Sequence, residues 1–287
     1  MQIREIKVQS ILTKTRLPIG GYAANPYVGC PHACKYCYAS FMKRFTNHPE
    51  PWGEFLDVKF WPEIKQPAKY SGQEIFLSSV TDPYNPCEEQ YKRTRALLLQ
   101  LKDSGAKLTI QTKSDLILRD LDLLKNFQDV RVGFSINTLD ENFKAVMDNA
   151  PSIARRINAM QTLYNSKIKT TCFISPIFPG ITDVQAIINC VKNFCNLIWL
   201  EDLNLRGDFK YKILNFIRQN YAGLAPIYDE IYINKSRVYW DDLDDTMREF
   251  AAQNNFEYVR NQDDMSRPFN APPRIVNYFY HKELLTK

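Results

Sequence analysis

Along this chain apolar residues come in short runs of strand character, each followed by a stretch in which they recur at helical spacing. The first run is Ala23–Val28, which leads into a cysteine-rich loop and a helix over Phe41–Phe45. A proline-rich connection covers Asn47–Pro67, and the second strand is predicted at Glu74–Ser79 with a helix near Glu88–Asp103. The third strand is Lys107–Lys113 with a helix over Asp120–Asn126. The fourth is Val130–Ile136, followed by helices at Glu141–Met147 and Ser152–Tyr164, where Ser152 is suited to cap the helix start. The fifth is Lys169–Ser175 with a helix over Val184–Phe194, and the sixth is Asn196–Glu201 with a helix over Phe209–Asn220.

Six β–α units in series argue for an α/β fold with a parallel sheet covered by helices. Right-handed crossovers would curl that sheet into a barrel or partial barrel. Past Gly223 the chain becomes rich in Tyr and Asp, with one helix predicted at Asp241–Asn254 and an irregular tail. The expectation is a barrel core over residues 1–222 and a C-terminal helical and irregular cap over 223–287, packed on the barrel.

In such folds the loops after the strands carry function. Here those strand tips read Cys30–Cys37, Ser78–Asp82, Thr112–Ser114, Ser135–Asn137, Ser175–Pro176 and Glu201–Asn204. All are polar, which a purely structural barrel end does not require, so one shared site is expected.

Composition narrows the class. The chain has 287 residues, 45% of them hydrophobic and 24% charged, ordinary for a globular protein with a full core. No apolar run approaches the ~20 residues that a membrane helix needs, and the first residues lack an apolar signal core. Seven cysteines, an odd number with three of them in one short loop, do not form a secreted disulfide pattern, so a reducing cytoplasm is expected. The net charge of +5 permits an anionic partner without demanding one. Lys43-Arg44, Lys92-Arg93 and Arg155-Arg156 read as solvated helix faces.

The sharpest chemical signal is Asn25-Pro-Tyr-Val-Gly-Cys-Pro-His-Ala-Cys-Lys-Tyr-Cys-Tyr38. Cys30, Cys34 and Cys37 stand in C-x3-C-x2-C spacing, which can ligate three irons of a [4Fe–4S] cluster and leave the fourth iron open to a reactant. A zinc site with His32 as fourth ligand is the competing reading, although Cys34 and Cys37 make the only pair at zinc-knuckle spacing. Cys172 alternates with apolar residues and reads as core, and Cys190 and Cys195 lack an adjacent partner for a second cluster.

The cysteine spacing, with Tyr36 just before the third thiol, resembles the signature of the radical S-adenosylmethionine (SAM) enzymes. In order along the chain, Ser78-Ser-Val-Thr-Asp-Pro-Tyr84, Thr112-Lys-Ser-Asp115 with Arg119-Asp120, Ser135-Ile-Asn-Thr-Leu-Asp-Glu141 and Glu201-Asp-Leu-Asn-Leu-Arg206 extend the resemblance to the spore photoproduct lyase-like branch. It covers roughly Asn25 to Asp208. The resemblance implies a partial (β/α)6 barrel, one [4Fe–4S] cluster on Cys30, Cys34 and Cys37, and SAM lying across the strand tips. It implies reductive cleavage of SAM to a 5′-deoxyadenosyl radical that abstracts hydrogen, fed by an external one-electron reductant of flavodoxin or ferredoxin type. The cofactor then carries the chemistry while the protein holds and aims it.

Carried over residue by residue, Tyr36 would flank the adenine and Tyr38 would stand where a radical-relay tyrosine is found. Lys113 would meet the methionyl carboxylate, with Arg156 as a weaker second cation. Ser79 and Thr81 would face the methionyl part, Ser135 would contact SAM, and Ser175 and Ile174 would contact adenine or ribose. Each also has a bland reading as a strand-end group that satisfies loop backbone, and His32 is expected to hydrogen-bond loop backbone. The chain departs from the branch at the residue that completes the reaction. Aligning Val80-Thr-Asp82 puts Ser79 where a hydrogen-donating cysteine is expected, and the O–H bond of serine is a poor donor. Cys87 in Tyr84-Asn-Pro-Cys87 is the substitute, against a reading as a buried loop cysteine. Three functions remain open: a radical SAM enzyme acting on a peptide or small molecule, a lyase for nucleic-acid lesions, or a non-catalytic iron–sulfur or zinc protein. Tyr228, Tyr232, Tyr239 and Trp240 would stack bases in the second, whereas the acidic Asp241–Asp245 stretch opposes it.

Overall fold

The computed structural model describes residues 1–15, 21–205, 207–260 and 268–279, apart from the Asp208 side chain. In chain order its elements are β1 Gln2–Lys7, β2 Leu12–Lys14, β3 Tyr22–Ala24, β4 Tyr27–Val28, β5 Phe55–Phe60, β6 Glu74–Leu77, α1 Glu88–Tyr91, α2 Arg93–Leu101, β7 Lys107–Thr112, α3 Leu121–Leu124 and β8 Asp129–Ser135. There follow α4 Glu141–Met147, α5 Ile153–Asn165, β9 Lys169–Ile177, α6 Val184–Val191, β10 Leu197–Asp202, α7 Gly207–Asn220, α8 Ala225–Tyr232, α9 Val238–Gln253, β11 Glu257–Arg260 and β12 Arg274–Asn277. The elements form two compact units: Met1–Cys34 with Ala39–Phe134 and Asp148–Thr170, and Lys35–Tyr38 with Ser135–Met147 and Thr171–Lys287.

In the first unit β3, β6, β7 and β8 pair in parallel, with Ala24 opposite Leu77, Leu77 opposite Ile110, and Thr112 opposite Phe134. β2 closes the edge antiparallel to β3. A smaller sheet pairs β5 with β1 in parallel and with β4 antiparallel, and Tyr27, Leu56 and Val58 form a buried cluster from its strands. The helix expected over Glu88–Asp103 is broken in two at Lys92, whose φ of 51° is left-handed. The Glu88 carboxylate explains the break. It accepts from Thr94 N at 2.9 Å and Arg95 N at 3.2 Å, donors at the start of α2 that have no partner within the helix. Ser152 caps α5 as its sequence suggests, accepting from Arg155 N at 3.3 Å.

In the second unit β10 lies between β9 and β12, and β12 between β10 and β11, all parallel. Asp183 caps α6 by accepting from Ala186 N at 2.9 Å. Past Gly223 the structure adds α8, β11 and β12 to the predicted helix, which runs over Val238–Gln253. Two four-residue strands, the second directly after Pro272-Pro273, leave too short a pattern to be read from periodicity. Asp244 of α9, fully buried, joins Tyr258, Arg260 and Asn277 of these strands by hydrogen bonds.

Candidate functional site

The cysteine loop leaves β4 through Gly29, where φ is +88° and a Cβ would stand 2.4 Å from the Phe55 carbonyl oxygen, so only glycine fits. Ala33 N donates to the Cys30 carbonyl at 3.1 Å, and Asn149 N donates to the His32 carbonyl at 2.7 Å. The loop is then pinned to the tips of β6 and β7 within the first unit. Asn25 donates through Nδ2 to Ser79 Oγ at 2.9 Å, and its Oδ1 accepts from Val80 N at 3.1 Å. The Thr81 hydroxyl donates to the Gly29 carbonyl at 2.6 Å. Ser78, at the end of β6, holds φ at 86°, a costly conformation for a residue other than glycine, of the kind that concentrates at functional sites.

Asp82 is the centre of this pinning. Its carboxylate accepts from Thr112 Oγ1 at 2.7 Å, Lys113 N at 2.8 Å and Tyr84 N at 2.9 Å. His32, 1% exposed, places Nε2 at 3.2 Å from Asp82 Oδ2. Burial opposes the charge of Asp82, but the His32 ring and these hydrogen bonds outweigh it and hold the carboxyl below its ordinary pKa. His32 was expected to meet loop backbone; its ring faces a carboxylate instead. Asn25, Asp82 and Glu201 are the polar residues for which sequence reasoning gave no role. The available signal was a carboxylate or amide within each strand-tip motif, which burial would oblige to find donors.

The predicted residues fall as follows. Ser79 and Thr81 have hydroxyls engaged with the loop. Lys113 is fixed by its backbone and its side chain is half-buried. Arg156 is fully buried and pairs with Asp148 at 2.9 Å, while its Nε donates to the Pro151 carbonyl at 2.9 Å. That makes it a clamp on the turn before α5 and removes it from the exposed cations. Cys87 packs against the Tyr27, Leu56 and Val58 cluster, and burial pushes its thiol pKa up. Arg119 and Asp120 also have structural work: Arg119 pairs with buried Glu88 at 2.6 Å and with Asp120 at 2.9 Å.

In the second unit, Tyr36 is buried and meets Phe178 edge to face at 5.5 Å. Tyr38 is 60% exposed, Ser135 is buried at the end of β8, and Ile174 is buried in β9. Ser175 Oγ donates to Glu201 Oε2 at 2.8 Å. Cys172 and Cys195 are core residues, the Cys172 N–H donating to Cys195 Sγ at 3.3 Å. Tyr228 and Trp240, expected as base-stacking platforms, are each 1% exposed and belong to the core. Arg206 lies outside the described residues.

None of the seven cysteines forms a disulfide. Among the described residues no three His, Cys, Asp or Glu side chains converge as a ready-made metal cage. The fit to an iron–sulfur cluster therefore rests on the donor set: three thiols on one loop, two of them half-buried, with the backbone around Cys30 pinned. Among the described residues no helix is long and apolar enough to cross a membrane.

Comparison with known proteins gives the same direction. The model of the radical SAM superfamily matches residues 24–189. An uncharacterized protein of Methanocaldococcus jannaschii is 39% identical over 252 residues, 86% of this chain and 94% of that protein. An uncharacterized protein of Acidianus two-tailed virus is 36% identical over 172 residues, 55% of this chain and 56% of that protein. Among solved structures, a spore photoproduct lyase mutant with bound AdoMet and dinucleoside spore photoproduct superposes with a TM-score of 0.61 at 14% identity, covering 96% of this chain and 82% of that one. Spore photoproduct lyase complexed with the dinucleoside photoproduct gives 0.55 at 14% identity, over 77% of this chain and 66% of that one. At such identities the likeness is one of fold: α/β with a parallel sheet.

Proposed function

The chain belongs to the radical SAM superfamily, whose cofactors are a [4Fe–4S] cluster and SAM, and on that premise we propose that it is an enzyme abstracting hydrogen from a substrate outside the lesion-repair class. Cys30, Cys34 and Cys37 hold the cluster in this reading. When bound, cluster and SAM would supply one-electron radical chemistry for hydrogen abstraction. The observation that carries the proposal is the pinned loop: Asn25 and the Thr81 hydroxyl tie the chain leading into Cys30 to the tip of β6, and the His32 ring meets Asp82. A chelating loop fixed in this way supports a permanent redox site, because little ordering entropy remains to be lost on metal binding.

The protein's own residues have distinct tasks. Lys113 offers the cation for the methionyl carboxylate. Ser135 offers a hydroxyl at its strand end and Tyr36 presents an aromatic wall, while the Ser175 hydroxyl, whose proton goes to Glu201, keeps only its acceptor side for SAM. Ser79 and Thr81 act through the loop. Arg156 is left out because its guanidinium is committed to Asp148. Ser79 cannot complete a lyase reaction as a hydrogen-atom donor, and the buried Tyr228 and Trp240 weaken the nucleic-acid reading. As for every member of the family, an external reductant is required; we assign one of flavodoxin or ferredoxin type, in the reducing cytoplasm. Whether the enzyme is a lyase or an oxidoreductase follows from its product.

Anaerobic reconstitution followed by reduction in the presence of SAM tests the reading. The expected result is a brown protein that releases 5′-deoxyadenosine. A colourless protein with stoichiometric zinc and no SAM cleavage overturns it.

A further inference from the structure

Parallel sheets ordinarily have both faces covered. On β9 and β10 the residues Cys172, Ile174, Ile198 and Leu200 are buried on one face. The alternate residues Phe173, Ser175, Trp199 and Glu201 are half-buried, as is Tyr278 just past β12. Trp199 pairs in register with Phe173 on one side and Val276 on the other, and Tyr278 N donates to the Leu200 carbonyl at 2.9 Å. The rings make a continuous platform. Trp199 lies 4.8 Å from Tyr278 at 35° and 6.3 Å from Phe173 at 40°.

Beside this platform stands one carboxylate in a fixed orientation. Glu201 Oε1 accepts from Trp199 Nε1 at 3.1 Å, and Oε2 accepts from Ser175 Oγ at 2.8 Å. Burial, and after it the Glu201 charge, raise the Tyr278 hydroxyl above its ordinary pKa. A half-open aromatic face with an oriented carboxylate at its edge is complementary to a planar cation. Such a group stacks on the negative ring faces while its N–H edge meets the carboxylate. An ammonium lacks the flat face, and a neutral ring lacks the charge.

We infer that the Phe173–Trp199–Tyr278 platform with Glu201 is the substrate-recognition wall of this enzyme and takes the guanidinium of an arginine side chain. The inference rests on the radical SAM reading above, and it gives that reading a substrate class. The test uses reconstituted holoenzyme with SAM and the peptide acetyl-Gly-Arg-Gly-amide, measured by calorimetry, with citrulline and lysine peptides in parallel. The arginine peptide is expected to bind saturably and at least tenfold more tightly than either analogue. Glu201→Gln is expected to weaken the arginine peptide at least tenfold more than it weakens SAM, and Trp199→Leu more than Trp199→Phe. Equal binding of arginine and citrulline peptides overturns the inference. So does a Glu201→Gln variant that loses SAM affinity as much as peptide affinity, which would assign the carboxylate to the cofactor. Reductive SAM cleavage is followed in the same samples. Its absence from wild-type holoenzyme would count against the enzyme reading, whereas cleavage without arginine selectivity would count against the wall alone.

Discussion

The two units treat polar strand ends in opposite ways. In the first, Asp82, Asn25, Ser79, Thr81 and Thr112 satisfy one another and the cysteine loop. In the second, Glu201 is held by Ser175 and Trp199 but remains half-buried on a face with three aromatic rings. A closed network fixes a backbone, while a carboxylate oriented on a half-buried aromatic face gives that face a charge and a direction. The difference separates the frame of a cofactor loop from a surface on which specificity can be built.

The comparison breaks most readily at the thiols. Replacing Cys30, Cys34 or Cys37 by alanine should abolish cluster-bound iron and SAM cleavage, read as iron content, visible absorbance and deoxyadenosine release. A variant that keeps its full cluster would remove that cysteine from the ligand set.

The next effect is on the buried pairs of the first unit. Arg156→Met leaves Asp148 as an uncompensated buried charge and should cost about 3–5 kcal/mol in denaturant unfolding. Loss of SAM affinity without loss of stability would instead return Arg156 to the methionyl carboxylate.

Asp82→Asn should cost about 2–3 kcal/mol near neutral pH. Because the folded-state pKa of Asp82 is depressed, its ionic contribution is fully present above the unfolded pKa, about 4. It declines as pH falls through the folded value. The stability gap between wild type and Asp82→Asn, measured on cofactor-free protein, should therefore narrow as pH falls below about 4. A gap that widens on acidification would mean that Asp82 is protonated in the fold.

The smallest effect is expected at Cys87. Its thiol packs beside Tyr27, Leu56 and Val58, so Cys87→Ala should cost about 1 kcal/mol and leave the reaction product unchanged. A changed product with deoxyadenosine formation intact would make Cys87 the hydrogen donor after all.

Much of the fold was readable because its signals are local. β7 alternates buried and half-buried residues along Lys107–Thr112, and α5 begins at the predicted Ser152 cap. Where a distant group intervened, the reading faltered. The helix after Cys87 divides at Lys92 because Glu88 turns back to take the first N–H groups of α2, while its other partners, Tyr27 and Arg119, come from far along the chain. The same holds for the site. The cysteine loop was evident from spacing, but the role of Arg156 depended on finding Asp148 beside it in a buried place.

The sequence by itself determined the β–α order, the three-thiol loop and the set of polar strand ends, because period and spacing are properties of neighbouring residues. Only the tertiary structure decided which of those polar groups bind each other. Asn25 and Ser79 are 54 residues apart, and His32 finds Asp82 across a similar span. Burial makes such partners obligatory, since an unmatched buried polar group costs more than the bond it lacks. Which partner is reached is set by the packing of the strands that carry them.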